Sequence, residues 1–321
     1  MGPNIICLGE LLVEIMRAEV GVPHSVPGIY KGPYPSGAPA IFIDSAARMA
    51  QGTGLSCGYI GAIGNDDFGH MIVTKLKNDG VDVSQIVTKH GIHTGVGFVQ
   101  YNQDGTRKFI FATGASGMTS PNDVKPDYFK DVKAFHIMGS ALSISELSRE
   151  ACYKALKIAQ KANPKVVISF DPNLRPEMLA IDKIIEICQP ILDEANILLP
   201  SGEEAEMLVR VNNPRDACLT LLKKHASMVV WKRGKDGSTV FSKEGTEINE
   251  IAIPGFKVKQ VDPTGAGDSF GGAFVVATLL GWPIQKRLRF ANAVGALKVT
   301  TWGPMSDTSL EEVLKFANIT P

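Results

Sequence analysis

The chain has no charge of one sign to spare, since lysine plus arginine equals aspartate plus glutamate at 33 each. Without a global field, nothing in the composition favours nucleic acid, an anionic membrane or a basic partner. Cysteine is sparse as well. The five residues, Cys7, Cys57, Cys152, Cys188 and Cys218, are odd in number, widely spaced and never in a CxxC pair. That argues against a disulfide framework or a thiolate metal site and for a reducing, cytoplasmic setting. Long apolar runs are missing too. Asn4–Leu8 is short and meets Gly9 and Glu10, and no later stretch approaches the ~20 apolar residues of a membrane span. The expectation is a chain with no membrane partner and no targeting signal. There is no internal repeat and no low-complexity tract.

What is present is a hydrophobic fraction of 44% over 321 residues, enough for the core of one large α/β domain or two modest ones. Apolar runs alternate with helical patterns: IICL near Ile5, a helix from Ala40, CGYIGAIG from Cys57, a helix over Phe68–Asn78, and AFHIM over Ala134–Met138. The alternation continues with a helix near Ser145–Lys161, VVISFD over Val166–Asp171, a helix near Glu177–Leu192, and NILLP over Asn196–Pro200. Such order predicts parallel βαβ units, and nearly all-apolar strands are expected where both faces of a sheet are covered. Two stretches break the pattern. Thr94–Phe111 alternates around Asn102, Gln103, Asp104 and Gly105, which predicts an antiparallel hairpin outside the main sheet. Val20–Ser36, rich in proline and glycine, reads as an irregular or extended excursion. Together they are expected to form a lid over the ligand crevice.

The chemistry concentrates near the C-terminus. Pro254–Gln260 reads as extended, Asp262, Pro263 and Thr264 as a turn, and Gly265, Ala266 and Gly267 lead into DSFGGAFVVATLLG, a buried helix. Unpaired N–H groups at a helix start, with the positive end of its dipole, make an anion site that glycine lets a phosphate approach closely. Asp268 falls in the first turn, beside that site. Phosphoryl transfer needs alignment, charge neutralisation and a carboxylate to take a proton from the attacking hydroxyl. The residues alone leave open whether Asp268 is that base or only complements the helix dipole. A dinucleotide fingerprint at Gly265, Gly267 and Gly271 is disfavoured. A carboxylate at 268 would repel a resident pyrophosphate, and no ribose-binding acid follows in QKRLRF. Asp171, Asn173 and Arg175, at the C-terminal end of a parallel strand, are placed to face a crevice.

Taken whole, VDPTGAGDSFGGAF resembles the C-terminal signature of the ribokinase-like (PfkB) carbohydrate kinases. The likeness runs along the chain through GELLVE at Gly9, SGAPA at Ser36, GAIGNDDFG at Gly61, SFDPNLR at Ser169, LLPSGEEAEML at Leu198, WKRGKDGS at Trp231 and ANAVGAL at Ala291. It implies a doubly wound, mostly parallel α/β sheet with helices on both faces over 1–321, with a discontinuous β lid near 11–36 and 92–114. It implies an anion hole at Gly265, Ala266 and Gly267 and a catalytic base at Asp268. It puts Lys232, Gly234, Gly237, Thr264 and Asn292 on the nucleotide side, and Glu204 near Mg2+ through water. The asparagine of the family's NxxE motif is Ser201 here.

On the substrate side Glu14 stands where the family has an aspartate, Ser36 and Gly37 where it has a glycine pair, and Ile41 where it has an asparagine. Phe98 and Arg107 are the lid candidates for stacking on and pairing with substrate. The opening and the FDPNLR run are most similar to fructokinases and 2-keto-3-deoxygluconate kinases, in which Arg175 or Arg107 would hold the carboxylate of an acidic sugar. The implied cofactors are ATP and Mg2+, with a monovalent cation such as K+ admitted beside Asp262. The implied partners are a small sugar and a second copy of the chain, through the lid. The departures at Glu14, Ile41 and Ser201 also admit a sugar- or nucleotide-binding regulatory protein with little turnover.

Overall fold

A computed structural model describes residues 2–104, 106–245 and 247–320. Its strands are β1 (Ile5–Leu8), β2 (Leu12–Arg17), β3 (Tyr30–Ser36), β4 (Cys57–Gly64), β5 (Val81–Lys89), β6 (Gly95–Tyr101), β7 (Arg107–Ala112), β8 (Ala134–Met138), β9 (Val167–Asp171), β10 (Ile197–Leu198), β11 (Met228–Lys232), β12 (Ser238–Glu244) and β13 (Glu247–Ile253). Nine of them form one sheet in the order β13-β12-β11-β10-β9-β8-β1-β4-β5. From β11 to β5 every pairing is parallel, and only β12 and β13 run antiparallel at one edge.

The two-residue period of a strand explains why this sheet is covered on both sides. In β1, Ile5 and Cys7 join a core with Phe42, Phe274 and Phe290, whereas Ile6 and Leu8 join a second core with Phe129, Phe135 and Phe170. Each such fully buried phenylalanine contributes about 1.5–3 kcal/mol of transfer free energy. The first core is roofed by the helices Ala38–Met49, Ala266–Leu279 and Ile284–Lys298, the second by Glu146–Ala162 and Ile181–Leu192.

Four strands form a separate sheet, β3-β2-β6-β7, so the hairpin expected near Asn102 is present as β6 and β7. Gly105, expected in its turn, lies outside the described residues. The excursion expected over Val20–Ser36 is irregular at first and extended at its end, where Tyr30–Ser36 is the edge strand β3 and Pro33 and Pro35 cost little since an edge residue need not donate to a ladder. One expectation needs correction. The helix expected from Glu177 begins at Ile181. The turn that precedes it, with the N–H groups of Met178 and Leu179 both donating to the Arg175 carbonyl, keeps Met178 turned into the crevice.

Candidate active site

The crevice lies beyond the C-terminal ends of the parallel strands and is walled by the second sheet. Its cavity measures about 200 Å³, below the roughly 300–1,000 Å³ of sites that hold drug-sized ligands, so it suits a small ligand. Glu10, Glu14, Arg107, Asn173, Arg175, Glu204, Lys232 and Asp268 all line it, as do Thr264, Gly265 and Gly267. Residues far apart in sequence therefore meet in one small polar chamber.

At the floor, Gly265 caps the Ala266–Leu279 helix in the left-handed region, at φ 81°. A β-carbon there would sit 2.2 Å from the Pro304 carbonyl oxygen, so only glycine fits. The Ala266 N–H bends back to the Pro263 carbonyl at 3.4 Å, and among the described residues nothing accepts from the Gly265 or Gly267 N–H. A β-carbon at Gly267 would lie 3.5 Å from Lys232 Nζ and 3.6 Å from Ser201 Oγ. Free N–H groups, a helix dipole and a lysine ammonium thus converge on one point, a site for a phosphoryl group.

Asp268 stands beside that point. Burial pushes its carboxyl up to about 6, the Asp171 charge pushes the same way, and Lys232, Arg175 and Arg107 pull it down. Asn173, at φ 37°, donates from Nδ2 to Asp268 Oδ1 at 3.3 Å, and its N–H donates to Asp171 Oδ1 at 3.2 Å. Asp171 lies beneath the floor, paired with the Lys232 ammonium. Burial opposes the charge on Lys232, but Asp171 and Glu204 together hold its affinity for the proton above the usual value. Breaking such a buried pair costs roughly 3–5 kcal/mol.

Glu204 joins two loops, its oxygens accepting from the Leu174 N–H at 2.9 Å and the Ser201 N–H at 2.7 Å. Burial and the Asp171 charge push it up to about 7. Ser201, shorter than asparagine, still places its hydroxyl near Gly267. Across the cavity, burial drives both Glu10 and Glu14 up to about 7. Ile41, which stands where the family has an asparagine, packs against Gly265, so that stretch of wall is apolar.

Several expected residues lie elsewhere. Phe98 is directly opposite Ile110 across the β6–β7 ladder and packs edge-on against Tyr30 at 6.0 Å, on the outward face. Strand parity sends Phe109 and Phe111 into the cavity instead. Ser36 is fully buried behind the lining. Gly234 and Gly237 form the turn between β11 and β12, and neither borders the cavity. The Asn292 amide donates to the Ile253 and Pro254 carbonyls at 3.2 and 3.3 Å, fixing the chain as it leaves β13. Sequence reasoning missed Glu10, Ser140, Ile144 and Met178, all of which line the cavity. Only Glu10, an acid just beyond an apolar strand, carried a signal.

A family profile described as pfkB family carbohydrate kinase matches residues 4–311. The chain belongs to that family. Its relatives among the carbohydrate kinases include fructokinase-1 of Oryza sativa subsp. japonica, 31% identical over 328 residues that cover 97% of this chain and 96% of that one. A 5-dehydro-2-deoxygluconokinase of Geobacillus thermodenitrificans is 29% identical over 306 residues, covering 93% and 88%. An E. coli protein provisionally named ribokinase II, solved in complex with ATP and Mg2+, matches with a TM-score of 0.88 at 41% identity, covering 98% of this chain and 99% of that one. The chain is accordingly a carbohydrate kinase with the ribokinase-like fold, and the doubly wound sheet is the one expected. No helix among the described residues is long and apolar enough to cross a membrane.

Proposed function

We propose that this kinase transfers the γ-phosphoryl group of ATP to a hydroxyl of a ketose or keto-deoxy sugar acid, with Asp268 as the general base. The observation that carries the sugar reading is a set of buried, unpaired polar atoms on residues that line one small cavity. Glu10 Oε2, Glu14 Oε2, Ser140 Oγ and Asn173 Oδ1 find no hydrogen-bond partner among the described residues. Buried polar atoms are normally paired, and a compound with several adjacent hydroxyls would pair all four. Arg107 and Arg175 line the same cavity and give a sugar carboxylate two guanidinium partners.

In the reaction, Asp268 takes the proton of the acceptor hydroxyl as its oxygen attacks the γ-phosphorus, and the bond to the bridging oxygen breaks to release ADP. The N–H groups of Gly265 and Gly267 and the Lys232 ammonium hold the transferring oxygens. Glu204 would hold Mg2+ through water, and the ion would supply charge neutralisation. The second sheet acts as the lid of a single domain, and its closure excludes water that would compete with the sugar. Its outward face, with Phe98, Tyr30, half-exposed Ile110 and largely exposed Ile29, supports a homodimer through the lid. The five cysteines, all buried free thiols, suit a reducing cytoplasm.

A coupled ADP-release assay over ketoses, aldoses, sugar acids and nucleosides tests the substrate class. Stimulation by a ketose or a keto-deoxy sugar acid is expected. Stimulation by nucleosides alone, or by nothing on the panel, overturns it.

A further inference from the structure

Beneath the glycine turn lies a buried ammonium that the chemistry above does not use. Lys298 ends the Ile284–Lys298 helix and is fully buried. Its Nζ donates to the Asp262 carbonyl at 2.9 Å, lies 3.5 Å from the Thr301 carbonyl, and stands 4.0 Å from the Asp262 carboxylate. Asp262 is in turn the knot between two segments. Its Oδ1 accepts from the Tyr101 hydroxyl at 2.7 Å and the Thr264 N–H at 2.9 Å, and its Oδ2 accepts from the Gly303 N–H at 3.0 Å. The Val261 and Asp262 N–H groups both donate to the Val299 carbonyl, at 2.7 and 3.1 Å. One of the joined segments carries Gly265, and the other lays the Pro304 carbonyl against it.

A compact positive charge surrounded by carbonyl and carboxylate oxygens is what a bound alkali cation would supply at the same place. Here the chain supplies it covalently. Burial lowers the Lys298 ammonium to about 8, with the Asp262 charge opposing that drop, so its charge depends on these oxygens. A K+ ion does not fit in the same place, because the Lys298 ammonium already occupies the space between the Asp262 and Thr301 carbonyls.

We propose that Lys298 replaces a monovalent cation beneath the anion site, acting as a positioning residue that holds the Asp262 loop so that the Gly265 and Gly267 N–H groups face the phosphoryl group. The inference rests on the glycine turn being the phosphoryl site, but not on the identity of the sugar. Its consequence is that the native enzyme turns over without K+.

The test compares Na+, K+ and NH4+ salts at one ionic strength, reading turnover and melting temperature for the native protein, Lys298→Ala and Lys298→Met. The native protein is expected to keep kcat and the KM for ATP within about twofold across the three ions. Lys298→Ala in Na+ is expected to lose at least about tenfold in kcat, on the scale of a weakened oxyanion site. K+ or NH4+, entering the space left by the ammonium, should restore most of that loss and raise the melting temperature of this variant. Lys298→Met, which fills the space without charge, should lose activity and respond to no ion.

Native turnover that requires K+ overturns the proposal, and that measurement stands even if the alanine variant fails to fold. So does an alanine variant as active as the native protein in Na+, or one whose activity and melting temperature both ignore the ion. If no sugar is turned over, the melting series still reads the cation site, so the two readings fail separately.

Discussion

Asn173 Nδ2 donates to Asp268 Oδ1 at 3.3 Å, while the N–H of the same residue donates to Asp171 Oδ1 at 3.2 Å. One asparagine, in the left-handed region at φ 37°, therefore spans the Asp268 carboxylate and the acid buried below it. That short chain fixes which way Asp268 faces and sets the charge it feels.

The pH profile of kcat/KM reports this arrangement. Burial and the Asp171 charge raise Asp268 to about 6, and a base works only when deprotonated, so activity should fall as the pH drops through about 6. In Asp171→Asn the like charge is gone and Lys232 is left to act on Asp268 alone, so the acid limb should move to lower pH. A limb that stays in place would remove Asp171 from this role.

Glu14 should show the opposite side of the same physics. Its folded-state value, about 7 through burial, lies above the 4.5 of an ordinary glutamate. Between those values the folded protein holds a proton that the unfolded chain releases, so stability falls as the pH rises through this window. Glu14→Gln should therefore melt higher than the native protein at pH 8, and the difference should vanish near pH 4. A lower melting temperature at both values would contradict it.

The floor glycines should separate stability from function. Gly265→Ala drives a β-carbon to 2.2 Å from the Pro304 carbonyl, at a positive φ besides, and should cost roughly 1–3 kcal/mol in denaturant titration. Gly267→Ala meets nothing nearer than Lys232 Nζ at 3.5 Å. It should fold normally yet obstruct the phosphoryl group, read as a fall in kcat/KM for ATP with the melting temperature unchanged.

Ile110, at 50% exposure opposite Phe98, tests the homodimer. Ile110→Asp should convert a dimer to a monomer in sedimentation equilibrium. A native chain that sediments as a monomer would already refute the dimer.

The glycine turn and its carboxylate were legible in the sequence because they are local: Thr264, Gly265, Gly267 and Asp268 are consecutive or nearly so, and a helix start needs no partner to be recognised. The alternating apolar runs likewise predicted the central sheet. The opposite wall of the cavity was not legible, because its lining depends on register. Whether Phe98 or Phe109 faces the cavity is decided by a one-residue parity in β6 and β7 that the pattern alone did not assign. β5, with its mixed sequence VDVSQIVTK, carried no clean alternation and went unread. Lys298 carries no signal in the sequence, since only the fold brings it beneath Asp262.

Asp268 is the residue on which the proposed transfer depends. Purified Asp268→Asn, assayed by ADP release with the sugar that stimulates the native enzyme, should lose about 10²–10⁴-fold in kcat, while binding ATP with unchanged affinity in calorimetry. A variant that turns over at the native rate would contradict the assignment of Asp268 as the base.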